Sequence, residues 1–241
     1  MIALIPARAG SRRIPGKNTK LLGGYPLWWW TAMAAERSGV FDQVVLCADF
    51  AVTANVFVLL RRPVPDHQPD IEWVRDALQQ YPSRREWCIL RPTSPFRDAA
   101  TIRRAFRQWQ GAKDCCDSLR AITPVTQTPY KMWSATGDLA IMPIVPILSG
   151  AHGLTPYHSS PTQTLPTVYA QTGALEMGWT RNVEQLGTIS GRKVVGFLTD
   201  GPAACNIDTP DDWARAEALL ATDPSLLASM GVAGISTGAP T

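Results

Sequence analysis

Histidine is scarce in this chain: three residues, His67, His152 and His158, in 241, too few for a histidine-based metal cluster to be expected. The five cysteines, Cys47, Cys88, Cys115, Cys116 and Cys205, contain no C-x-x-C pair. Cys47 and Cys88 fall in apolar runs, so free core thiols are expected rather than disulfides or zinc ligands. No apolar stretch approaches the ~20 residues that span a bilayer. Proline and arginine interrupt the first apolar run after five residues, which argues against a signal peptide and leads to the expectation of a cytoplasmic protein. The formal net charge is only +3, which gives no reason to expect nucleic acid or a membrane as partner and leaves acidic small molecules. Two common nucleotide loops are missing as well: there is no G-x-x-x-x-G-K-[ST] and no G-x-G-x-x-G.

What is present begins at once. Met1 to Ile5 reads as a buried strand, and it empties into Pro6-Ala-Arg-Ala-Gly-Ser-Arg-Arg-Ile-Pro-Gly-Lys-Asn18, where Pro6, Gly10, Pro15 and Gly16 stop regular structure. The loop leaves the carboxyl end of the strand, where open α/β sheets place their ligands. Arg8, Arg12, Arg13 and Lys17, the Ser11 hydroxyl and the backbone N–H groups around Gly10 are donors that phosphate oxygens share. Alone, such a loop is also what a solvated basic turn looks like. Its company along the chain decides the reading.

Residues 5–18 resemble the signature loop of the acylneuraminate cytidylyltransferases. Leu90-Arg-Pro-Thr-Ser-Pro-Phe-Arg97 is similar to that family's L-[QR]-P-T-S-P-[LF]-R segment, and Asn206-Ile-Asp-Thr-Pro-Asp-Asp-Trp213 to its metal-binding D-I-D-T-x-x-D segment. Thr128-Pro-Tyr-Lys-Met132 and Gln171-Thr-Gly-Ala174 look like divergent copies of its P-x-K and N-G-A segments. The resemblance implies a doubly wound, mostly parallel α/β sheet of the nucleotide-diphospho-sugar transferase, Rossmann-like kind, with a small inserted dimerisation lobe.

The rhythm of the chain agrees. Strand-like runs at 2–5, 44–48, 87–90, 118–123 and 194–198 alternate with helix-like stretches, as crossover-connected parallel strands require. The first helix is expected from Pro26 to Ser38, stopped by Gly39. Its Trp28, Trp29 and Trp30 cannot all face one way at 100° per residue. Asp70 and Asp98 are expected to cap the helices they open. The helix that the resemblance implies after the second strand is eroded into residues 51–56. Residues 1–222 read as one nucleotidyltransferase domain, with an inserted lobe at about 124–167 that breaks the βα rhythm, a final helix at 211–222, and a flexible Gly, Ala and Ser tail over 223–241.

The reaction the resemblance implies is activation of an acidic, 2-keto acid sugar with CTP, releasing pyrophosphate and giving a CMP-sugar. Arg8, Arg12, Lys17 and Asp208 are then the catalytic set. Ala7, Arg8, Ala9, Gly10, Ser11, Arg12, Lys17, Asn18, Asp49, Arg91, Pro92, Thr93 and Ser94 would bind the nucleotide. Tyr130, Lys131, Gln171, Gly173 and Ala174 would bind the acceptor. Magnesium is the implied cofactor, with Asp208 and Asn206 as ligands, and a homodimer the implied assembly. Asn206 stands where the family has aspartate, and Arg91 where glutamine is common. The same fold with another nucleotide or acceptor, or a nucleotide-binding protein that has lost catalysis, are the alternatives.

Overall fold

Alternation explains the central strand. In β1 (Ile2–Ala7), Ile2 and Leu4 join one buried cluster and Ala3, Ile5 and Ala7 the other, as a strand covered on both faces must do. In the computed structural model residues 1–52, 57–60, 68–136, 140–144 and 156–230 are described. The chain continues through a short hairpin of β2 (Leu21–Leu22) and β3 (Tyr25–Pro26), then α1 (Leu27–Ser38), β4 (Gln43–Ala48), β5 (Phe57–Leu60), α2 (Asp70–Gln79), β6 (Glu86–Ile89), α3 (Ala99–Ala112) and β7 (Ser118–Pro124). After these come β8 (Trp133–Thr136), β9 (Ala140–Pro143), β10 (Tyr169–Trp179), α4 (Thr180–Gln185), β11 (Val194–Leu198), α5 (Pro210–Thr222) and α6 (Ser225–Ser229).

Among the described residues the main sheet has the order β11-β7-β10-β6-β1-β4-β5. β1 is parallel to β4 and β6, and β4 to β5, whereas β10 runs antiparallel to β6. Trp73, Val74, Ala77 and Leu78 of α2 and Val183 of α4 cover one face. Trp30, Ile102, Ala105, Trp109, Trp213 and Ala216, from α1, α3 and α5, cover the other. This is the doubly wound, mostly parallel α/β sheet the sequence implied.

α1 follows Pro26 and ends at Gly39, whose φ of 64° is a left-handed conformation that costs glycine little. Trp30 is fully buried, donates its indole N–H to the Leu22 carbonyl and meets the edge of Phe96, which fastens the hairpin behind the first loop. Trp28 is buried too, while Trp29 stacks on Tyr25 with ring centroids 4.1 Å apart.

Three expectations change. Asp98 caps α3 by accepting the Thr101 N–H, but Asp70 makes no cap on α2, because its carboxylate turns to the Arg91 guanidinium and the Trp73 indole. The second strand is followed by an edge strand, β5; of the segment read as an eroded helix, residues 53–56 lie outside the described residues. The segment assigned to a tail opens with α6, and Met230 beyond it is buried, because Leu226 and Leu227 pack against the core. Residues 231–241, like His67 and His152, lie outside the described residues.

By its internal contacts the chain divides into two units, residues up to Ala121 together with those from Thr172 on, and Ile122–Gln171. Within the second unit, β8 and β9 form an antiparallel hairpin. Tyr130 packs on Tyr157 and Trp133 on His158, each pair with centroids 4.8 Å apart.

Candidate active site

The loop after β1 is held by Asp49, just beyond β4, and by its own Asn18. Ala9 donates its N–H to Asp49 Oδ1 at 2.6 Å, and Asn18 donates its amide to the Arg8 carbonyl at 2.8 Å. Ile14 is buried and anchors the middle of the loop. Gly16, at φ 62°, turns the chain so that Thr19 and Lys20 both donate to its carbonyl. Ala7 is buried at the end of the strand, Ala9, Gly10, Arg12 and Arg13 are exposed, and Arg8 and Ser11 are half-buried. Asp49 from beyond β4 and Asn18 from the loop itself thus shape it, using groups that the resemblance assigned to nucleotide contact.

Lys17 reaches across to the segment before α5. Its Nζ donates to the Ile207 carbonyl at 2.9 Å and to Asp208 Oδ1 at 3.3 Å, and Arg13 Nη2 meets the same oxygen at 3.3 Å. Lys17 is 9% exposed. Burial lowers its pKa, the Asp208 carboxylate opposes that, and the charges of Arg13 and Arg8 add to the lowering. Asn206 donates its amide to Asp208 Oδ2 at 2.6 Å, so the two expected metal ligands face one another. Asp212 fixes the backbone beneath them by accepting the N–H groups of Asp208 and Thr209 and the Thr209 hydroxyl, the reciprocal half of a capping box. Burial pushes the Asp212 carboxyl up, but these donors outweigh it and bring its pKa to about 2.

The second motif joins the same edge. Ile207 donates its N–H to the Thr93 carbonyl at 2.8 Å. Pro92 and Ser94 are buried within the turn, where Ser94 donates its N–H to the Arg91 carbonyl. Arg97 is fully buried with no carboxylate within ion-pair distance among the described residues; its Nη1 donates to the carbonyls of Ala174 and Arg91. Burial lowers its pKa to about 10.

The chain belongs to the cytidylyltransferase family. Residues 2–128 match the family described as Cytidylyltransferase. Over 235 residues the chain is 29% identical to CMP-N,N'-diacetyllegionaminic acid synthase of Legionella pneumophila, covering 91% of this chain and 96% of that enzyme. Over 118 residues it is 34% identical to N-acylneuraminate cytidylyltransferase of Escherichia coli, covering 46% of this chain and 28% of that enzyme. A CMP:2-keto-3-deoxy-manno-octonic acid synthetase solved with CTP superposes with a TM-score of 0.65 at 13% identity, over 92% of this chain and 98% of that one. That likeness shows the fold.

In this cytidylyltransferase the residues expected at the acceptor divide between the two units. Gly173 belongs to the first: a Cβ there would come within 3.2 Å of Arg91 Cδ and Thr93 Oγ1 and 3.5 Å of Asn206 Oδ1, so the absence of a side chain lets three motifs close up. Ala174 beside it is fully buried and faces the core. Tyr130, Lys131 and Gln171 belong to the second unit, where Tyr130 is half-buried and Lys131 and Gln171 are exposed.

Sequence reading missed one constellation. Glu176, 2% exposed on β10, binds Arg91 Nη2 at 2.9 Å and Arg120 Nη1 at 3.0 Å. Arg91 Nη2 also meets Asp70 Oδ2 at 2.7 Å. Burial would raise the Asp70 pKa, yet the Arg91 charge holds it below the ordinary carboxylate value. The available signal was a lone carboxylate inside the apolar run Ala174-Leu175-Glu176-Met177, since such a charge is buried only with partners.

Proposed function

We propose that this cytidylyltransferase transfers the CMP moiety of CTP to the hydroxyl of an acidic sugar. The acceptor oxygen bonds to the α-phosphorus, the bond from that phosphorus to the β-bridging oxygen breaks, pyrophosphate leaves, and the hydroxyl proton passes to a phosphate oxygen or water. The observation that carries this reading is the meeting of Lys17 and Arg13 on Asp208 Oδ1, which gathers two cations beside the loop that shapes itself around backbone donors. As charge moves onto the leaving phosphates, these cations bind it more strongly than they bind the ground state, and that difference accelerates the step. Arg8, Arg12 and Ser11 line the same loop and would take the remaining phosphate oxygens.

The donor set fits magnesium as cofactor. Asp208 offers a carboxylate and Asn206 a carbonyl oxygen, both hard ligands, and magnesium commonly takes one or two carboxylates together with substrate phosphates. Among the described residues no group of three His, Cys, Asp or Glu forms a protein cage, in keeping with an ion held chiefly by substrate. When bound, the ion would neutralise phosphate charge and acidify the attacking hydroxyl.

Two further readings belong to the same proposal. The β8–β9 hairpin and its flanks expose Trp133, Ile141, Met142 and Ile144, an apolar surface suited to a second copy of this chain, and we place a homodimer there. Free thiols and the need for CTP favour the cytoplasm; no helix among the described residues is long and apolar enough to cross a membrane.

The test is pyrophosphate release with magnesium across CTP, GTP, UTP and ATP, each offered with N-acetylneuraminic, legionaminic, pseudaminic and ketodeoxyoctonic acids. Release that requires CTP and one acid sugar is expected. Nucleotide binding with no release for any pair would replace the enzyme by a binding protein.

A further inference from the structure

The carboxyl end of β6 holds a second charged centre that nucleotidyl transfer leaves unused. It rests on the acid-sugar reading above and concerns the same site. Arg91 leaves the carboxyl end of β6, Glu176 comes from β10, Asp70 from the first turn of α2, and Arg120 from β7. Glu176 is nearly inaccessible, and a buried carboxylate needs its partners held in place. Arg120 is held in turn by the Ser190 hydroxyl at 2.6 Å. Asp70 and Glu176 both engage the same nitrogen of Arg91, Nη2. Among the described residues its Nη1 and Nε meet no partner, and the side chain is 25% exposed.

The position of that open edge is set by contacts. Arg91 Cδ closes on Gly173, Gly173 closes on Asn206, and Asn206 donates to Asp208. Arg91 is therefore linked, through Gly173, Asn206 and Asp208, to the segment that Lys17 and Arg13 contact. Two arginines face two carboxylates, so the cluster carries no net charge with which to draw an acid. What Arg91 retains is directional: N–H donors and no acceptor. A rigid donor edge in a neutral setting favours an uncharged acceptor such as an amide carbonyl, and opposes an ammonium.

We propose that Arg91, pinned by Asp70 and Glu176, is a specificity-determining residue that reads an N-acyl carbonyl of the acceptor sugar rather than its carboxylate. The experiment measures kcat and KM separately for CTP and acceptor, in the wild type, Arg91→Gln and Asp70→Asn. Acceptors come in pairs of nine-carbon sugar acids: acetamide against hydroxyl at carbon 5, and acetamide against amine at carbon 9. The wild type should favour the acetamide in at least one pair by about tenfold in kcat/KM, about the 1.4 kcal/mol a directed hydrogen bond supplies. Arg91→Gln should cut that preference to about threefold or less while the CTP KM stays within about twofold. Asp70→Asn, which weakens one of the two anchors of the guanidinium and leaves Glu176 in place, should narrow the preference without abolishing turnover. Equal use of both members of every pair by the wild type overturns the inference while leaving the enzyme reading intact. So does a CTP KM that moves as far as the acceptor KM. No turnover by the wild type with any acid sugar overturns both.

Discussion

Beside the loop after β1 two cations, Arg13 and Lys17, share one carboxylate, Asp208, whereas between β6 and β10 two cations, Arg91 and Arg120, share two, Asp70 and Glu176. The difference is one unit of unbalanced positive charge and it falls where a triphosphate would lie. Exposure separates the two carboxylates of the second cluster. Asp208 is 36% exposed and Asp70 41% by side chain, whereas Glu176 is only 3% exposed, so the first cluster can exchange its carboxylate contacts for phosphate or metal, and the second cannot release Glu176 without leaving a buried charge alone. One cluster is arranged to be completed by substrate. The other has its charges balanced within itself and leaves only the outer edge of the Arg91 guanidinium to a ligand.

The strongest way to break the comparison is to empty the first cluster of its carboxylate. Asp208→Ala removes the partner of Lys17 and Arg13 and the proposed metal ligand together, and should lower kcat for pyrophosphate release by about 10³-fold, the several kcal/mol that metal-assisted charge stabilisation supplies. Lys17→Ala comes next, at about 10²- to 10³-fold, the range for one preorganised donor to a developing anion. Because burial lowers the Lys17 pKa, its proton is lost at a lower pH than from an ordinary lysine. The CTP KM of the wild type should therefore rise on the alkaline side earlier than the ordinary 10.5, and Lys17→Arg should abolish that rise. A Lys17→Ala enzyme with unchanged kcat would show that the cluster is structural on both sides.

How far the sequence discloses these clusters differs between them for a physical reason. The loop proposed to hold phosphate is local: Pro6, Gly10, Pro15 and Gly16 fix it within fourteen residues of chain, and its cations are read directly. β1, β4, β6, β7 and β11 are likewise legible, since each is an apolar run bounded by turn signals. The second cluster joins residues 70, 91, 120 and 176, and nothing near any of them in sequence names the others. Asp70 is the instructive case. At the start of a helix an aspartate reads as a cap, and only the fold brings a guanidinium close enough to outbid the backbone N–H groups. β5 was overlooked because four apolar residues beside an irregular segment show no periodicity. Arg13 stands outside the catalytic set that the resemblance implies, and its contact with Asp208 crosses 195 positions.

A smaller change sharpens the contrast. Asn206→Asp would put two carboxylates on the Arg13 and Lys17 pair and bring the first cluster to the charge balance of the second. The amide now donates to Asp208 at 2.6 Å; a carboxylate in its place would repel Asp208 until a cation intervened. The magnesium concentration for half-maximal activity should fall by about tenfold, within the range of ligand-shell changes. The melting temperature should fall without magnesium and recover with it. A magnesium midpoint that does not move would remove Asn206 from the ligand set.

The mildest test concerns the footing of Asp208. Asp212 accepts the Asp208 N–H at 3.0 Å and the Thr209 N–H at 2.8 Å, so it holds the backbone from which Asp208 faces Lys17. Asp212→Ala loses the capping box, worth about 1 kcal/mol, or roughly 2–4 °C in a domain of this size, and kcat should fall by less than about tenfold because Lys17 and Arg13 still hold the Asp208 side chain. The sign with pH is fixed by the lowered carboxyl. Its folded pKa of about 2 lies under the ordinary 3.8, so the unfolded chain binds the proton first on acidification. The contribution is full above about pH 4 and fades as pH falls toward 2. Melting curves of the wild type and Asp212→Ala should then differ at neutral pH and converge on acidification. Curves that stayed apart at pH 2 would assign the stabilisation to the shape of the helix start rather than to the charge that anchors Asp208.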